Sequence, residues 1–332
     1  MNHALRPLVA TAVIFVLAYG AAVLQYPAIL SGRVLGDLLT DNAFLGITAV
    51  GMTFVILSGG VDLSVGAVIG FTGVLVAVLI SWTGLHPLLA FAIALGVAAA
   101  FGGAMGAAIH YLEVPAFVVT LAGMFMARGA ASIITQDSIP IDHTFYHQMS
   151  ALALKLPGGG RITAIGGLML LVFVVGAVLA HRTRFGSNVY AIGGNATSAS
   201  LMGVPVARTT IQIYMLSSVL AGLGGIVLSL YTSAGYPLAG VGVELDAICA
   251  VVIGGTLLAG GYGFVAGTFI GVMLQGLVQV YIIFDGSLSS WWTKIVIGFL
   301  LFVFILMQRL FFLSAAPRRL SPMTPVEPGS RR

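Results

Sequence analysis

The segment LSGGVDLSVG, residues 57–66, interrupts two long apolar runs with a glycine pair, an aspartate and two serines. A plain membrane hairpin needs only a turn. Gly59 and Gly60 can end one helix, and Asp62 or Ser64 can cap the first turn of the next. The other reading is a broken helix at an interface that must move, since irregular backbone at membrane depth survives only beside protein or water. The surrounding sequence has to decide what such a break is for.

That surrounding sequence is apolar throughout. Hydrophobic residues make up 59% of the 332 and charged residues only 7%, with a mean hydropathy of +1.09. No soluble domain of this length has that balance. Apolar runs at 7–24, 87–109, 162–180, 211–231 and 264–284 reach the ~20 residues needed to cross ~30 Å of hydrocarbon. The 44 glycines fit close helix packing in lipid. The fold class is therefore an all-α polytopic membrane protein. About ten transmembrane helices are expected, at 7–24, 42–58, 64–82, 87–109, 114–135, 162–181, 209–231, 243–260, 262–284 and 292–312. The order of the spans suggests an inverted repeat relating spans 2–5 to spans 7–10. Residues 1–313 form the membrane domain, and the Pro- and Arg-rich residues 314–332 read as a disordered tail.

An even number of spans puts both termini on one side. With the termini in the cytoplasm, Arg6, Arg182, Arg184, Arg208, Arg309, Arg318, Arg319, Arg331 and Arg332 lie inside, against Arg33, Lys155, Arg161 and Lys294 outside. Trp82, Trp291 and Trp292 then sit at the outer interface, where indoles prefer to lie. The arginines flank spans rather than forming a face, so the net charge of +4 is topological and not a nucleic-acid footprint. The first run is of span length and has no convincing cleavage site, so no cleavable signal is expected. Cys249 is the sole cysteine, which excludes an intrachain disulfide.

No catalytic signature is present: no Walker A loop, no HExxH, no GxSxG and no Cys/His cluster. His143 and His147 are spaced i,i+4, but with no nearby Cys or Glu they read as an exposed or satisfied pair and not as a metal site. No cofactor is implied. The polar residues inside spans carry more information. Arg128 in span 5 costs at least ~2.5 kcal/mol to insert, with Glu244 and Asp246 as its expected partners. Together with Asp62 and Gln275 they either line a translocation path or pack helices, as does Gln279, one turn from Gln275.

Four motifs in order carry a resemblance: GMTFVILSGGVDLSVGAV (51–68), VPAFVVTLAGMFMARG (114–129), HRTRFGSNVYAIGGNATSASLMGV (181–204) and GVGVELDAICAVVIGGTLLAGG (240–261). The chain resembles the ribose-type permeases of ABC sugar importers over nearly its whole length, the tail excepted. DNAFLG (41–46), KLPGGGR (155–161) and DGSLSSWWTKI (285–295) look most like one of the two permeases of galactofuranose importers. The resemblance implies a non-enzymatic transport subunit in the bacterial inner membrane, surrounded by lipid. Its implied partners are a separate ATP-binding cassette subunit, a second and different permease, and a periplasmic sugar-binding protein. The rivals are a branched-chain amino-acid ABC permease and an ion-coupled secondary transporter. The latter needs a midplane carboxylate, and the span boundaries above place no acid mid-span.

The inner loop then becomes the coupling element to the ATPase. In GNATSASLMGV (194–204), Gly194 leads into a short helix that Asn195 or Thr197 caps. Ala199, Leu201 and Met202 offer a small apolar knob, and Gly203, Val204 and the following Pro205 end the helix. The outer loop 136–161 is the expected receiver of the binding protein.

Overall fold

The computed structural model describes residues 6–155, 159–289 and 291–315, with side chains for residues 8–307 of these. The expected tail, 314–332, lies almost wholly outside the described residues. The helices are α1 (Arg6–Gln25), α2 (Gly32–Asp41), α3 (Ala43–Leu57), α4 (Val65–Ser81), α5 (Pro87–Tyr111), α6 (Ala116–Ile134), α7 (Thr144–Ala151), α8 (Ala164–Arg182), α9 (Arg184–Gly194), α10 (Ala196–Leu201), α11 (Val206–Thr232), α12 (Val243–Ile253), α13 (Val265–Asp285) and α14 (Trp291–Ala315). Two short antiparallel ladders, β1 (Ile139–Pro140) with β4 (Ala234–Gly235) and β2 (Ala153–Lys155) with β3 (Arg161–Thr163), tie loops at one end of the bundle.

The centre is α3 and α11. Every residue of α3 except Phe44 is buried, which its uniform apolarity requires of a helix with no polar face. α11 packs against α3, α4 and α5. The α5 contact is built on a row at four-residue spacing, Ala90, Ala94, Ala98, Gly102 and Gly106, all buried. A Cβ at Gly106 would lie 2.7 Å from the Cα of Ile211, so only glycine lets these backbones approach. Leu88, Leu89, Ile93 and Val97 on the opposite face are exposed. Large residues outward and small residues inward is the membrane arrangement, since lipid supplies no drive for burying leucine.

The expected ten spans are not reproduced as ten full-length helices. Six described helices are long and apolar enough to cross a membrane, and seven if α2 and α3, bent by 55° at Asn42, count as one. α4 is 17 residues long. The largest departure is span 8, expected at 243–260. Its helix, α12, stops at Ile253 after 11 residues, about 16 Å and half a bilayer. Hydropathy alone cannot see this. Residues 254–264 stay apolar, but Gly255, Gly260 and Gly261 have φ of +90°, +84° and +73°, a region that L side chains avoid.

The segment between α11 and α12 is irregular too, and it follows α4. A Cβ at Gly70 would meet the carbonyl oxygens of Ala239 and Pro237 at 2.8 and 2.9 Å. At Gly66 it would overlap the Glu244 carboxylate. Gly66 is fifteen residues from Ser81, about 22 Å along α4. The chain therefore runs non-helically along most of that length before α12 begins.

Candidate functional site

The break at 58–64 is held by one side chain. Asp62 is fully buried. Its Oδ1 accepts from the Ser64 backbone N–H (2.9 Å) and the Ser64 hydroxyl (2.6 Å), and its Oδ2 accepts from the Ser217 hydroxyl of α11 (2.8 Å). A carboxylate enclosed this way has no face left for a passing solute. Asp62 is thus a lock between the break and α11. Ser64 occupies the N-cap position of α4 but makes no side-chain cap bond; Asp62 orders the backbone just ahead of the helix instead.

The same break touches two other glycine pairs. Gly261 N–H donates to the Leu57 carbonyl at 2.8 Å. A Cβ at Gly260 would fall 2.7 Å from the Gly59 nitrogen. One at Gly193, near the end of α9, would overlap the Leu57 carbonyl oxygen and lie 2.5 Å from Gly261 N. The loop after α3, the loop after α12 and the end of α9 are therefore in backbone contact. Tyr190 of α9 adds a hydrogen bond to the Gly263 carbonyl at 2.6 Å. Burial, with Tyr262 nearby, pushes its phenol up to about 12, so it stays a donor.

α10 follows directly. Asn195 caps it by accepting from Ser198 N–H at 2.8 Å, and Gly203 ends it with φ +84°, as the spacing of these residues suggests. Thr197 is inside the helix and exposed, and is not the cap. The knob is also smaller than expected. Leu201 and Met202 are 86% and 74% exposed, but Ala199 is fully buried and its carbonyl accepts from Val204 N–H at 3.0 Å. Ala199 seats the helix instead of projecting from it.

Among the described residues Arg128 makes no hydrogen bond to an acidic side chain. Its Nη1 donates to the carbonyls of Pro237 and Ala239 at 2.6 and 2.8 Å, in the irregular segment that precedes α12. Backbone carbonyls outside a helix at this depth need donors, and a planar guanidinium supplies two from one nitrogen. Glu244 lies close enough to interact electrostatically with Arg128, yet its Oε2 is buried with no hydrogen-bond partner among the described residues. It sits beside the first turn of α4, against Gly66. Asp246 pairs with Lys294 instead, Nζ lying 2.8 and 2.6 Å from its two oxygens. Gln275 donates to the Asp246 carbonyl at 3.0 Å.

At the other end of the bundle, loop 136–161 folds into β1, α7 and β2 rather than hanging free. Tyr146 of α7 is buried with its hydroxyl 3.0 Å from that of Ser229. His143 caps α7 through Phe145 N–H, and His147 pairs with Asp142 at 2.9 Å. Among the described residues no group of three His, Cys, Asp or Glu side chains could hold a metal ion.

Known proteins resemble the chain over nearly its full length. Residues 34–305 match the family model described as branched-chain amino acid transport system / permease component. The inner membrane ABC transporter permease protein YjfF of Escherichia coli (strain K12) is 61% identical, over 96% of this chain and 97% of that one. The ribose import permease protein RbsC of Bacillus subtilis (strain 168) is 38% identical over 89% and 90%. The xylose transport system permease protein XylH of Escherichia coli (strain K12) is 33% identical over 88% and 87%. No solved structure matches the chain. With its helical bundle, broken half-helices and this extent of match, the chain belongs to the permease family of the branched-chain amino acid transport system type.

Proposed function

We propose that this chain is the membrane subunit of an ATP-driven importer of a neutral monosaccharide, galactofuranose being the favoured sugar. The carrying observation is that relatives covering nine-tenths of the chain are ribose and xylose permeases, with a fructose permease of Bifidobacterium longum at 37% identity beside them. The family description names amino acids, but the sugar permeases share the length of the chain, and so the sugar reading is preferred to the amino-acid one. Both termini lie in the cytoplasm on this reading, a second and different permease completes the membrane unit, and loop 136–161 receives a sugar-binding protein.

α10 is the coupling element. Leu201 and Met202 are the apolar side chains it presents, and an ATPase groove is a suitable acceptor for a short helix of this kind. Behind it, Gly193 connects the coupling unit to both glycine-rich breaks without an intervening side chain. A rigid contact of that type can pass on a rigid-body displacement that a flexible loop would absorb. The test is Leu201→Asp in the assembled transporter reconstituted in proteoliposomes. The variant should insert and assemble normally, yet lose sugar uptake driven by ATP. Full uptake in a well-assembled variant would remove α10 from the coupling path.

A further inference from the structure

A cleft of ≈ 430 Å³, with an apolar wall carrying several polar side chains, lies between α3, α12, α13 and α14, away from the α10 face. Ile283 and Trp291, both exposed, and the buried Gln275, together with Asp246, are among its lining residues. Gln275 is ten residues before the end of α13, so the cleft descends about 15 Å along that helix. Gln279 projects into it one turn above Gln275, and Thr293 and Lys294 come from α14. Gln275 is buried, whereas Gln279 and Lys294 are exposed to the open space.

This lining has the chemistry of a sugar site. The Asp246 charge is offset by Lys294, so the pair suits a neutral ligand. The Asp246 oxygens and the Gln279 amide can accept from and donate to adjacent hydroxyls. The Trp291 indole, largely exposed, offers an apolar face to ring C–H groups. The volume falls within the ~300–1,000 Å³ range of small-molecule sites. A carboxylate–ammonium pair with partial exposure also cannot face lipid tails without large cost, so the space is filled by water or ligand.

We propose that this cleft is a monosaccharide-binding station within the single permease chain, Asp246 and Gln279 taking sugar hydroxyls and Trp291 covering one ring face. The inference rests on the sugar-permease reading above. Three groups suffice for weak, orienting binding, which suits a site that must also release.

The test uses the complete transporter in proteoliposomes, with galactofuranose, D-ribose, D-xylose, D-fructose and D-galactose as probes. ATP-driven uptake by the parent protein selects the sugar. Gln279→Cys is then labelled with a charged thiol reagent from the cleft side; the sole native cysteine, Cys249, is buried and provides the background. The selected sugar should slow labelling severalfold, and an equal concentration of L-leucine should not. Gln279→Leu should raise the half-saturation for sugar by about fivefold, the loss of one hydrogen bond, with assembly unchanged. No uptake of any of the five sugars overturns the permease reading and this site with it. Uptake with labelling unaffected by sugar, or protection by L-leucine alone, overturns the site and leaves the permease reading standing.

Discussion

Two breaks in the helical bundle solve the same problem in opposite ways. Before α4, the irregular segment is short, and its polar groups are satisfied within reach of one buried carboxylate: Asp62 holds Ser64 and Ser217. Before α12, the irregular segment is longer, and its carbonyls at Pro237 and Ala239 are satisfied from a distant helix by Arg128. In the first, the tethering Asp62 and Ser64 are fully buried. The second leaves Tyr236, Leu238 and Val241 exposed, a surface of non-helical backbone that lipid cannot cover favourably. A neighbouring subunit or water must meet it. The difference teaches that a helix break in a membrane can serve as an internal joint or as an outward face, depending on where the satisfying group comes from.

Removing the lock should have the largest effect. Asp62→Ala strands a backbone N–H and two hydroxyls in a dry interior, at a cost of about 3 kcal/mol. The isolated subunit in detergent should lose several degrees of thermal stability, and Asp62→Asn should recover most of them by keeping an acceptor. Equal stability of all three proteins would end the joint interpretation of the first break.

Arg128→Met comes next, at about 2 kcal/mol for two lost hydrogen bonds from a charged donor. Here the comparison predicts a different readout. The isolated subunit should be only modestly weakened, while its co-purification with the proposed second permease should fall sharply, because the exposed face loses its shape. An Arg128→Met subunit that melts early yet assembles fully would erase the distinction between the two breaks.

The smallest effect is expected at the joint between the loop after α12 and the coupling unit. Tyr190→Phe deletes the hydrogen bond to Gly263, about 1 kcal/mol. Fold and assembly should persist, and the ratio of sugar moved to ATP hydrolysed should drop by a few-fold. An unchanged ratio would show that the glycine contacts alone carry the linkage.

Much of this was readable in advance, and the failures have a pattern. The helical membrane class follows from runs of apolar residues, and the buried row of α5 from four-residue spacing of Ala and Gly. The start and end of α10 follow from Asn195 and Gly203, because caps and left-handed residues act within a few positions along the chain. Partner choice was not readable. Arg128 was expected to seek Glu244 or Asp246, yet it serves carbonyls that become orphaned only because residues 233–242 do not form a helix. Asp62 bonds a serine 155 residues away, a partner that nothing local in the sequence announces.

What the sequence determined alone is therefore the set of local decisions: which stretches are apolar enough to enter a membrane, where caps and glycines interrupt them, and which loop carries a short exposed helix. Those depend on transfer free energy and on backbone sterics, both of which are summed over neighbours in the chain. What only the tertiary structure decided is which interruptions meet and which polar group satisfies which. Gly193, Gly260 and the Leu57 carbonyl come together because three separate segments cross at one point. Hydrophobic burial is non-directional and can be anticipated from composition, whereas a hydrogen bond in a dry interior requires a specific atom at about 3 Å, and only the folded chain places it there.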